Sequence, residues 1–146
     1  MDFYSISTMI KKVIKGAIGL VAAFVVQAAL RSGFQISVGT QMLDAAAWTP
    51  GIRPPDAYMI ATVLAALAAC GLAGIVAALI VGRARFRHAL AYGALFVALA
   101  AWANRATLLG SPHPYEWPLI LAPLIAMPLG AWLIIKLKPP APSVAA

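Results

Sequence analysis

From Ala57 to Gly82 the chain carries no charged side chain, and Asp56 and Arg83 border the run. At about 1.5 Å per residue, a helix of this length exceeds the roughly 30 Å hydrocarbon core of a bilayer. An uncharged run this long is the signature of a transmembrane helix, and it sets the frame for the rest of the sequence.

Composition supports the same solvent. Charged residues make up 10% of the chain and hydrophobic residues 63%, with a mean hydropathy of +0.91. A soluble domain carries about 25% charged residues. The charge available here is too sparse to cover a water-exposed surface. The expected fold is an all-α integral membrane protein of four transmembrane helices, forming a single membrane domain over residues 1–146. The crossings are expected at 13–31, 57–82, 88–109 and 117–135. The Pro- and Ala-rich tail, 139–146, has no apolar periodicity and is expected to be disordered.

The first apolar run follows Lys11, Lys12 and Lys15. This arrangement shares features with a cleavable signal peptide. The run is long for a signal core and Arg31 follows it closely, so it reads as a retained helix. The next connection is the longest. Its middle, Val38 to Trp48, is expected to form a short interfacial helix in the first outer loop, with Met42, Leu43 and Trp48 as apolar contacts. Pro50, Gly51, Pro54 and Pro55 then break any helix, and Asp56 is placed to cap the second crossing.

Charge distribution orients the bundle. The formal net charge is +7, and the basic residues sit in short clusters at the ends of apolar runs. Lys11, Lys12, Lys15, Arg83, Arg85, Arg87, Lys136 and Lys138 share one side of a four-crossing topology. Arg31 and Arg53 fall on the other. The positive-inside rule then puts both termini in the cytoplasm. The same clustering argues for a membrane setting and against nucleic-acid binding. Arg83, Arg85 and Arg87 are expected to contact anionic lipid. The Ala-rich composition suggests a bacterial inner membrane.

Helices in lipid associate through close packing of small residues. The second crossing carries Thr62, Ala66, Cys70, Gly74, Ala78 and Gly82, one every fourth position, as an expected packing seam. The fourth crossing contains Pro123 and Pro128, each of which removes a backbone donor inside a helix. Such prolines either line a cavity or improve packing.

Polar groups inside a membrane are the best pointers to function. Gln27, Asn104, Arg105 and Glu116 are the candidates for an outward-facing polar pocket, as a substrate contact or as an interfacial anchor, and the outer loops add Arg31, Asp44, Asp56 and His113 to it. No carboxylate lies within a crossing. The single cysteine, Cys70, can form no intramolecular pair. His88 and His113 flank the third crossing at opposite ends and cannot share a metal. No nucleotide, hydrolase or zinc-protease motif is present. No catalytic residue, metal or cofactor is expected. The primary functional expectation is a non-catalytic accessory, assembly or stabilising subunit of a membrane complex, partnered by membrane lipids and by other subunits or by itself as an oligomer. The alternative is a small oligomeric transporter or channel component with an outward-facing anion or lipid head-group site. A lipid-handling enzyme using the outer polar cluster is a weaker third reading.

Overall fold

A computed structural model of the chain describes residues 3–43, 54–82, 85–110 and 114–137. Among them are α1 (Phe3–Met42), α2 (Asp56–Val81), α3 (Arg85–Ala103), α4 (Arg105–Leu109) and α5 (Glu116–Leu137). α1, α2, α3 and α5 are each long and apolar enough to cross a membrane. This is the pattern of a multi-pass membrane bundle.

The first helix departs most from expectation. It spans 40 residues without a break and passes Arg31, where the crossing was expected to end. No proline interrupts the sequence before Pro50. Gly33 lowers helix propensity by about 1 kcal/mol relative to alanine, but tertiary contacts hold the extension in place. Phe34 stacks on Tyr58 of α2, with centroids 6.4 Å apart. Ser37 and Thr40 turn their hydroxyls back onto the Gly33 and Ile36 carbonyls, at 2.5 and 2.6 Å. Residues 38–42 therefore close α1 and do not begin a separate interfacial helix. The rest of that expected helix, Asp44 to Trp48, lies outside the described residues.

The other boundaries moved little. Asp56 opens α2 as its first helical residue, and Pro55 takes the cap position. A carboxylate in the first turn still complements the helix dipole. Gly82 ends α2 at φ 74°, a left-handed conformation that suits glycine. α3 begins a turn earlier than expected. It breaks at Asn104, whose amide nitrogen donates to the Ala100 carbonyl at 2.8 Å. The five-residue α4 follows and buries none of its side chains. The tail 139–146 lies outside the described residues.

Packing follows the small residues. α2 lies between α1 and α5, and α5 between α2 and α3. In the expected seam, Ala66, Cys70, Gly74 and Ala78 are buried, and Thr62 and Gly82 are partly buried. A Cβ added at Gly74 would lie 2.7 Å from Met127 Cα. One added at Gly130 would run into the Gly71 carbonyl. The α2 and α5 backbones touch directly, which only glycine at these points permits. Gly93 of α3 meets α5 in the same way, with Pro123 O 2.6 Å from an added Cβ.

Both interior prolines of α5 are buried, and Pro123 is among the largest fully enclosed side chains. Pro123 thus sits within a tight helix contact. The interior is largely alanine, including Ala66, Ala73, Ala77, Ala122, Ala126 and Ala131, with Tyr92, Phe96 and Met127 filling the wider gaps.

Candidate functional site

The first and third helices do not meet backbone to backbone. Long side chains bridge them. Tyr92 donates its hydroxyl hydrogen to the Gly16 carbonyl at 2.6 Å. Further along, Phe24 and Phe96 meet edge to face at 6.0 Å between centroids. These pairs run in the same order along both chains, so α1 and α3 point the same way. Beyond the phenylalanine pair the helices leave a groove of about 460 Å³, within the 300–1,000 Å³ range of small-molecule pockets.

The groove has two unlike walls. α1 contributes Phe24, Gln27, Ala28, Arg31, Ser32 and Gln35, and α3 contributes Phe96, Leu99 and Ala100. Positions 24, 27, 28, 31 and 35 recur at helical spacing and therefore share one face of α1. Gln27, Arg31 and Gln35 stack one turn apart, about 5.4 Å per turn. The α3 wall is wholly apolar. A narrow crevice with no room for a water molecule places Arg31, Phe34 and Gln35 against Thr62, Ala65 and Ala66 of α2.

This contact fixes the depth of Arg31. Thr62 and Ala66 lie six and ten residues into α2, roughly 9–15 Å along the axis from its first residue. Arg31 is therefore a half-buried residue of helix α1 beside the first turns of α2, and not in a loop as the sequence reading had it. Among the described residues no carboxylate forms an ion pair with it. Gln27, one turn deeper, has a buried Oε1 without a hydrogen-bond partner.

The expected polar pocket is divided by the fold. Gln27 joins Arg31 in the groove, while Asn104 and Arg105 lie at the exposed junction of α3 and α4. The Arg105 guanidinium sits 4.5 Å from the Trp102 ring centroid and donates to the Trp102 carbonyl at 3.1 Å. Glu116 opens α5, and its Oε2 is buried without a partner. Among the described residues Arg105 and Glu116 form no ion pair. At the opposite end of the bundle, Arg85 Nε donates to the Gly82 carbonyl at 2.6 Å, and Arg87 is exposed. Arg83 lies outside the described residues.

Sequence reasoning had Arg31 as an outer-loop contributor to the polar pocket and missed Ser32 and Gln35, because it ended the first helix at Arg31. The available signal was the i, i+4, i+8 spacing of Gln27, Arg31 and Gln35 in a stretch free of proline. Chemically, the groove offers hydrogen-bond donors and one positive charge on one wall and hydrocarbon on the other. Among the described residues, no group of three His, Cys, Asp or Glu side chains is placed to hold a metal ion. Compared with known proteins, the chain matches no protein family, no curated protein and no solved structure.

Proposed function

We propose that this chain is a non-catalytic membrane subunit that assembles with or stabilises other membrane components, using α1 as its docking helix. The observation behind this reading is the unequal burial of the helices. In the most apolar window of each, 39% of α2 and 44% of α5 is buried, against 11% of α1. α2 and α5 spend their small residues on each other, and α1 keeps most of its apolar surface outward. Ile18, Val21 and Val25 line a shallow apolar depression on α1. Two lipid-facing sides are ordinary for a peripheral helix in a bundle. A face that combines Ala17 and Ala22 with branched side chains also suits close approach by another helix.

The orientation with both termini in the cytoplasm rests on the eight basic residues that a four-crossing topology assigns to one side, and the bacterial inner membrane on the Ala-rich composition. Reporter fusions after Asp44 and after Arg85 test it. A cytoplasmic signal from the Asp44 fusion would overturn this orientation. The docking role is tested by a photo-crosslinking residue at Val21 in intact membranes, followed by mild-detergent extraction and mass spectrometry. The expected product is a defined protein adduct, either a second copy of this chain or another membrane protein. Crosslinks to lipid alone, with a monomeric extract, would refute the reading.

A further inference from the structure

We infer that the groove between α1 and α3 binds a single-chain anionic amphiphile with an acceptor oxygen between its anionic head and its hydrocarbon chain, the chemistry of an anionic lysophospholipid. The groove shares no lining residue with the apolar depression on α1 and stands whether or not a protein partner exists.

Three observations converge. The first is Arg31. A charged side chain within an apolar bundle costs free energy unless it is paired or reaches the interface, and such residues mark ligand sites. Among the described residues Arg31 has no acidic partner, and its neighbours one turn away on either side are the neutral amides Gln27 and Gln35. An anionic head would complete this set, since guanidinium pairs with phosphate through two parallel hydrogen bonds. Gln35 and Ser32 supply further donors at the same end.

The second is Gln27. It lines the groove one turn, about 5.4 Å, on the chain side of Arg31. Its Oε1 is enclosed, so what the amide offers an occupant of the groove is its N–H donors. An acceptor oxygen placed between the anion and the hydrocarbon chain, such as an ester oxygen, meets them at that level.

The third is the apolar inner end. Leu99 stands opposite Gln27, and Phe24 and Phe96 close the groove a turn further in. Arg31 lies near the end of the bundle where α2 begins, so a head bound there keeps its polar side towards the interface. The chain then leaves the groove over the exposed Phe24 ring into the bilayer. The groove sits between parallel helices joined only by side chains, and a ligand can enter laterally from the bilayer.

The experiment is native mass spectrometry of the full chain in a neutral detergent. The probes are lysophosphatidylglycerol and lysophosphatidylcholine of equal chain length, with inorganic phosphate as competitor. Lysophosphatidylglycerol is expected to form a one-to-one adduct at about tenfold lower concentration than lysophosphatidylcholine, which has the same phosphate but adds a trimethylammonium group that the Arg31 guanidinium repels. Arg31→Gln should remove that preference, and Arg31→Lys should restore part of it. Leu99→Trp fills the groove from α3 without altering Arg31 and should weaken both adducts. It also keeps the test decisive if Arg31→Gln elutes as misfolded material. Equal binding of the two lysolipids would overturn the inference. So would displacement by inorganic phosphate at matched concentration, which would make the site one for a free anion. Wild-type adducts in both Arg31→Gln and Leu99→Trp would overturn it as well.

Discussion

Replacing Gly74 by alanine adds one methyl group at the place where α2 and α5 touch. The new Cβ would lie 2.7 Å from Met127 Cα and 2.8 Å from its carbonyl carbon, with the carbonyl oxygen nearer still. Non-bonded carbons prefer about 3.5–4.0 Å, so the helices must separate by roughly 1 Å. A crossing with about as many atom contacts as one buried leucine, roughly 40–60 at 0.1–0.2 kcal/mol each, holds about 4–12 kcal/mol of dispersion. A gap of that size forfeits at least a quarter of it, or about 1–3 kcal/mol. The same range is typical of overpacked cores. Gly33→Ala supplies the matched control, because a Cβ there meets nothing within 4 Å. Both variants gain the same helix propensity, about 1 kcal/mol, so their difference isolates the clash. Reversible unfolding in mixed micelles of rising dodecyl sulfate content, followed by helicity, should put Gly74→Ala about 1–3 kcal/mol below Gly33→Ala. Equal stability of the two would refute the direct backbone contact.

Three further outcomes are expected. Tyr92→Phe removes the hydrogen bond to the Gly16 carbonyl, and in the same unfolding assay should cost about 0.6 kcal/mol, the mean for such contacts in membranes. Cys70 is fully enclosed, so a maleimide should leave it unmodified in mild detergent and label it after denaturation in dodecyl sulfate; rapid labelling of the folded chain would contradict the packing of α2. Arg105→Gln should leave the lysophosphatidylglycerol adduct at the wild-type level in native mass spectrometry, because its guanidinium is committed to Trp102 at the surface.

The crossings were legible because charge is so costly in hydrocarbon. Asp56 and Arg83 bracket α2 to within a residue or two of its observed ends. The small-residue ladder was legible for a related reason, since close approach in lipid leaves few residue types to choose from. The candidate site was not. Arg31, Ser32 and Gly33 together look like the start of a loop by local composition. Their helical state is decided by Phe34 stacking on Tyr58, more than twenty residues away in sequence. The grouping of Gln27 with Arg105 failed for another reason. Hydropathy reports depth in the bilayer, and two groups at similar depth can sit on different sides of a bundle. Which helices neighbour one another depends on glycine contacts such as Gly74 with Met127 and Gly93 with Pro123. Spacing along one helix cannot assign those partners.

The alanine interior has a consequence for how the bundle responds to change. Alanine has no rotamers to lose, so closing α2 against α5 incurs almost no side-chain entropy cost. The native arrangement is selected by backbone fit alone, with little side-chain repacking available to absorb error. Sequence tolerance should therefore be the reverse of that in a leucine-rich soluble core. Truncations at Ala66, Ala73 or Ala126 remove little, while any enlargement there meets main chain that cannot swing aside. A deep mutational scan would show α2 and α5 rejecting larger residues along their shared face more strongly than glycine, and α1 sensitive to size at Gly19 and Ala23, where it packs on the bundle, and along its docking face.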